Sequence, residues 1–136
     1  MKQAYFLCLL AAISTLGGCA MRTAVRGRVI PGNLSFVCVV DQSDPRLKQA
    51  GIAGVTVESR SDEGRDAGVL FGATQSTEDG SFTLTFKEQP SLMKPVRMTG
   101  TMAGYNPAGE SFSLPPADKR LLIILKKQVD SKPPPR

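Results

Sequence analysis

The sequence predicts an all-β fold: an antiparallel β-sandwich of seven to eight strands, preceded by a cleaved signal peptide. Two observations predict the sandwich. From residue 25 onward apolar and polar residues alternate with a period of two in short runs, and Gly, Pro, Asp or Asn interrupts those runs about every ten residues. A third is the lack of a convincing amphipathic helix pattern beyond the first two dozen residues, which leaves two packed sheets as the architecture able to bury the alternating faces. A closed barrel is the alternative arrangement.

Residues 1–18 have the three-part layout of a secretory signal: Lys2 as the positive end, an apolar run from Ala4 to Ile13, and small residues before a cut. The run is shorter than the roughly 18 apolar residues that a membrane-spanning helix needs. Leu16-Gly17-Gly18-Cys19 resembles the lipobox of bacterial lipoproteins, in which the peptidase cuts before a cysteine already carrying diacylglycerol. The thiol of Cys19 would be the nucleophile that becomes the thioether to lipid, and the small residues before it would lie extended in a narrow protease cleft. The resemblance implies that Cys19 is the mature N-terminus, carries three acyl chains, palmitate among them, and anchors the chain for life, since each buried CH₂ contributes about 0.8 kcal/mol. The competing reading is cleavage after Ala20 by the ordinary signal peptidase, which Gly18-Cys19-Ala20 also satisfies. Residues 19–23 are then a lipidated tether, residues 24–127 the sandwich and residues 128–136 a disordered proline-rich tail. Ala20 after the lipid cysteine, in place of the aspartate that marks retention, implies the outer membrane of a two-membrane envelope.

Along the domain, Val25, Gly27 and Val29 alternate with Arg26 and Arg28, and Pro31-Gly32-Asn33 ends that strand. Residues 34–40 are apolar at both parities, which predicts a strand covered on both sides or near the centre of the sandwich. Residues 41–51 are a polar loop with a helical turn. Val55 and Val57 alternate with Thr56 and Glu58; residues 60–68 are a charged loop; residues 69–75 are a weaker strand that Gly72 interrupts. Thr77-Glu78-Asp79-Gly80 is the sharpest turn signal and predicts a tight hairpin, with Phe82, Leu84 and Phe86 on one face beyond it. Val96, Met98, Gly100 and Met102, then Phe112 and Leu114, mark two further strands, and residues 121–125 a last, wholly apolar one. Residues 132–136 hold three prolines and are expected to be extended.

The chain of 136 residues has room for one domain after the signal is removed. Its 17 Lys and Arg against 12 Asp and Glu give a net charge of +5, and loss of Lys2 leaves 16 against 12. That excess is small and scattered, and without a basic stripe interleaved with aromatics it argues against nucleic acid as a partner. Weak attraction to anionic lipid or glycan fits it better. Of three cysteines, Cys8 leaves with the signal and Cys19 would be alkylated, so Cys38 is left without a partner and reads as a small buried hydrophobe.

Three segments in order, Gly51-Ile52-Ala53-Gly54-Val55-Thr56-Val57, Ala73-Thr74-Gln75-Ser76-Thr77-Glu78-Asp79-Gly80-Ser81-Phe82 and Met102-Ala103-Gly104-Tyr105, resemble successive strands of carboxypeptidase regulatory-like domains. Those domains have a transthyretin-like sandwich and are non-catalytic accessory and interaction modules. The resemblance covers about 55 residues and implies a scaffold or binding role, with no functional site residue carried over. The link between Val29 and Gly54 is longer than is usual in that family.

No histidine occurs, so histidine-based triads and zinc sites are impossible, and no cofactor is expected. Carboxylates cluster at Asp62, Glu63 and Asp66, and at Glu78 and Asp79. The first group lacks the alternating oxygens of a calcium loop and contains Arg65, so a solvated loop is expected in place of a metal or catalytic site. Asn33-Leu34-Ser35 reads as a turn. Two functions follow. One is a membrane-anchored envelope lipoprotein, not an enzyme, that serves as a structural or protein-interaction module for an envelope partner. The alternative is a glycan or small-ligand binding module at the loop end of the sandwich, built from residues 60–68 and 104–110. The absence of Trp, with Tyr105 the lone tyrosine after the signal, disfavours a stacking platform and hence the second.

Overall fold

A computed structural model describes residues 24–62, 68–87 and 94–129. Cys19, the signal segment, Glu63, Asp66 and the prolines of the tail lie outside the described residues. Eight strands form two four-stranded sheets. The strands are β1 (Ala24–Pro31), β2 (Phe36–Asp41), β3 (Thr56–Ser61), β4 (Leu70–Gln75), β5 (Ser81–Thr85), β6 (Val96–Thr101), β7 (Ala108–Phe112) and β8 (Lys119–Leu125), with one 3-10 turn over Pro45–Lys48. The first sheet runs in the order β2-β8-β1-β5 and the second β4-β3-β6-β7. Because the two sheets keep separate ladders, the fold is a sandwich and not a closed barrel.

The period-two alternation sets the core. Val25, Val29, Val37, Phe82, Leu84, Leu121, Ile123 and Leu125 of the first sheet meet Val57, Val96, Met98 and Ala108 of the second, with Val55 at the entry to β3 and Phe86 just past β5. Leu121 to Leu125 are buried without a break because β8 is covered on both faces. Leu121, Ile123 and Leu125 face the core, while Leu122 and Ile124 join Ile30 and Val40 in a second cluster beneath Leu47 of the 3-10 turn and beside Cys38.

Three expectations change. The doubly apolar run at residues 34–40 marks β2, which is an edge strand; the central, doubly covered strand is β8. Phe36 and Val39 remain part-exposed on that edge, and Leu34 stands outside the strand. Second, the ladders are antiparallel except that β1 and β8 run parallel, with Gly27 opposite Leu121 and Pro31 opposite Leu125. Third, Thr77-Glu78-Asp79-Gly80 is a tight turn but not a hairpin: β4 ends in the second sheet and β5 begins in the first, so the turn carries the chain across the sandwich.

Two glycines show why that crossing is possible. Gly80 has φ +86°, and a Cβ on it would fall 2.5 Å from Gly51 Cα and 2.5 Å from the Val29 oxygen. Three backbones meet there, tied by Val29 N–H donating to the Gly80 carbonyl at 2.8 Å and Ile52 N–H donating to the Val29 carbonyl at 2.9 Å. Gly72 does not break β4. It lies against β5, where a Cβ would stand 2.4 Å from the Thr85 oxygen.

Candidate interaction surfaces

The residues singled out in the sequence separate in space. Asp62 is exposed just past the end of β3. Asp79 is committed within its own turn: its Oδ1 accepts from the Ser81 hydroxyl at 2.6 Å, the Thr77 hydroxyl at 2.7 Å and the Ser81 N–H at 3.0 Å, while Arg28 lies 3.3 Å from Oδ2. The Ser81 hydroxyl first, then that of Thr77, holds the carboxyl far below the usual carboxylate range. Among the described residues no group of three or more acidic or cysteine side chains is placed to hold a metal ion. Cys38 is half-buried, and burial pushes its thiol up, as befits a packed apolar residue.

The loop-end site built from residues 60–68 and 104–110 is not assembled. In the antiparallel β3/β6 pair, Ser61 lies opposite Val96 and Thr56 opposite Thr101. The first loop therefore leaves one end of the sheet and the second leaves the other.

The end reached by the second loop is a knitted surface. Asn106 N–H donates to the Lys126 carbonyl at 2.8 Å, and Gln128 N–H to the Gly104 carbonyl at 2.8 Å. The Ser35 hydroxyl donates to the Asn106 carbonyl and accepts from Lys126 N–H, each at 2.8 Å. The turn at Asn33-Leu34, the Gly104 turn and the chain leaving β8, as far as Gln128, thus form one face. Leu34 is 68% exposed and Val129 84% exposed there. Tyr105 is half-buried against the core rather than presented as a platform, and with Met102, Thr56, Thr101 and Pro107 it lines an open depression of about 580 Å³.

The outer face of the first sheet holds a feature that the sequence did not disclose. Strand register places Val40 beside Arg120 and Arg26 beside Thr83, and the parallel pair, which starts with Gly27 opposite Leu121, brings Arg26 and Arg120 to one groove. The next row outward along the strands is Cys38, Leu122, Arg28 and Ser81, and Phe36, Ile124 and Ile30 follow. The apolar part of this face is roofed by Leu47, while the basic part opens into a groove of about 410 Å³ with Lys48 on its rim. The signal present in the sequence was the shared outward parity of Arg26 and Arg28. What brings Arg120 to them is the β1/β8 pairing between the two ends of the domain, which local pattern does not reveal.

Comparison of the chain with protein-family models, with curated proteins and with solved structures finds no match to any of them.

Proposed function

We propose that the chain is a lipid-anchored envelope protein, not an enzyme, whose sandwich serves as an interaction module, as the resemblance to carboxypeptidase regulatory-like domains implies. Cys19 is the attachment residue, the membrane is reached through its lipid, and an envelope protein is the partner. The outer membrane is the expected site.

The observation that carries this reading is the polarity of the chain in the sandwich. Ala24 opens β1 at one end, and β8 runs parallel to β1, so the chain leaves at the opposite end, about 25 Å away for strands of this length. From Cys19 to Ala24 an extended chain spans at most about 17 Å. An anchor at Cys19 therefore holds the Ala24 end against the membrane and turns the knitted face of Leu34, the Gly104 turn and Lys126 outward, where a partner meets it. Against the alternative ligand-binding reading stands the separation of its two loops.

Cys19→Ser tests the anchor. Membrane fractionation is expected to show the variant released and unprocessed, and mass spectrometry to find three acyl chains on the parent. A parent with an unmodified N-terminus at Met21 would refute the anchor. For the partner, cross-linking from solubilised membranes should capture a protein with the parent and lose it with Leu34→Glu at unchanged melting temperature; capture that survives this change removes the outward face from the reading.

A further inference from the structure

We infer that the groove on the outer face of the first sheet is a binding site for a phosphate ester, gripped by Arg26 and Arg120 together and steered by Lys48. This goes beyond the anchoring proposal and does not depend on it.

The parallel register starts with Gly27 opposite Leu121, so Arg26 and Arg120 each stand one residue before it on neighbouring strands and line the same groove; strands lie about 4.8 Å apart. Like charges set side by side across a ladder destabilise it unless something neutralises them. Among the described residues no acidic side chain lines the groove. Three nearby carboxylates are committed elsewhere, Asp44 to Arg46 at 2.8 Å, Asp41 to Lys119, and Asp79 to Arg28, and Glu78 and Asp118 are exposed outside the groove lining. Arg120 donates only to the carbonyls of Ala117 and Lys119, which leave its charge intact. Among the described residues, neither Arg26 nor Lys48 has an ion-pair partner. Three uncompensated cations thus converge on one groove, whose wall also presents the exposed hydroxyl of Thr83 and the amide of Gln42.

The ligand chemistry follows from the donors. A guanidinium is a planar fork suited to a pair of oxygens, and two forks a strand spacing apart suit a tetrahedral group that shows separate oxygens to each; a carboxylate, with two oxygens in one plane, satisfies one fork only. The site is shallow and open, so it takes the charged group while the rest of the molecule lies in solvent or in a membrane. That phosphate group has two sources: the headgroup of a phospholipid, which the Ala24 end would face, or a soluble phosphate ester.

The full chain in neutral detergent should be titrated with inorganic pyrophosphate and, separately, placed in phosphatidylcholine bilayers with and without phosphatidylglycerol, with backbone amide shifts as the readout. Shifts concentrated at Arg26, Lys48, Thr83 and Arg120 with pyrophosphate support the site and indicate that a soluble phosphate group is sufficient without a membrane. The same shifts appearing only with phosphatidylglycerol support the site and indicate a headgroup. Arg26→Gln with Arg120→Gln should weaken either response roughly tenfold or more, and Arg120→Lys should weaken it less. The double variant should also melt no lower than the parent, since it removes a like-charge pair. Shifts spread evenly over the exposed Lys and Arg, no shift with any probe, or a double variant that binds as the parent does would overturn the inference.

Discussion

Alanine at Gly80, set against alanine at Gly104 and at Gly51, separates two reasons for a glycine that usually act together. Gly104 has φ +85°, nearly the value at Gly80, but a Cβ there would meet nothing within 4 Å. Its replacement carries only the cost of a left-handed backbone, about 1 to 2 kcal/mol, less several tenths recovered from a stiffer unfolded chain. Gly51 has no positive φ, but its Cβ would stand 2.3 Å from the Asp79 oxygen and 2.5 Å from Gly80 Cα. Those atoms are backbone and cannot swing aside. The three backbone segments must separate, stretching the two hydrogen bonds that Val29 makes with them, each with a net contribution of about 1 kcal/mol and more when a buried group is left unmade. Gly80→Ala combines both effects, for a loss of about 3 to 5 kcal/mol. Chemical denaturation of the full chain should rank the variants as Gly104→Ala mildest, Gly51→Ala intermediate and Gly80→Ala worst. The double variant of Gly51 and Gly80 should lose less than the sum, because the crossing is pried apart once. If Gly80→Ala loses no more than Gly104→Ala, the three-backbone crossing is misplaced and the argument fails.

Phe82→Ala should cost about 3 to 5 kcal/mol by opening a cavity beneath β1, checked by the shift in denaturant midpoint; its ring is buried, and a Cβ on Gly27 would lie 2.6 Å from it. Ser59→Ala should leave stability unchanged or raise it by about 1 kcal/mol, since the buried hydroxyl has no hydrogen-bond partner among the described residues; a clear loss would mean that the oxygen is satisfied. Asp79 has its carboxyl pushed down by the Ser81 and Thr77 hydroxyls, so its contribution is complete above the ordinary carboxylate range and is lost as pH falls toward its lowered value. Acid melting curves should therefore fall less steeply for Asp79→Asn than for the parent. Truncation after Val129 should leave the melting temperature unchanged, whereas truncation after Leu125 should lower it, because Lys126 and Gln128 make the hydrogen bonds that close the far end.

Much of the fold was legible because it is local. Val25, Val57, Leu84 and Met98 each sit at the buried parity that alternation assigned to them, and the reversal at Asp79-Gly80 follows from an aspartate that bonds its own turn and a glycine that takes positive φ. The turn residues Thr77-Glu78-Asp79-Gly80 did not reveal that the strands on either side of them belong to different sheets. That outcome depends on Gly51 and Gly72, whose missing side chains permit the close backbone approaches between the layers, and Gly51 lies far from the turn in sequence. Alternation was likewise ambiguous for the two runs apolar at both parities. Which of them lies at the centre depends on what flanks it, and the Leu47 turn covers the outer side of β8 while β2 is left at the edge.

The candidate sites show the same division more sharply. The proposed lipid attachment at Cys19 rests on its immediate neighbours alone, Leu16-Gly17-Gly18, because a peptidase and a lipid transferase would read an extended segment. The cationic groove is specified by nothing contiguous. Arg26 and Arg120 lie at opposite ends of the domain, and along the chain each looks like an ordinary solvated charge at the start of a strand. Only the parallel pairing of β1 with β8 makes them neighbours; had those strands run antiparallel in the same order, Arg26 would lie opposite the Leu125 end and the charges would be apart. The pairing that sends the chain out at the end opposite Ala24 is thus the one that gathers the charge at the Ala24 end. If Cys19 is lipidated, a single topological choice orients both surfaces: phosphate-binding cations toward the membrane, and the hydrogen-bonded loops toward whatever lies beyond it.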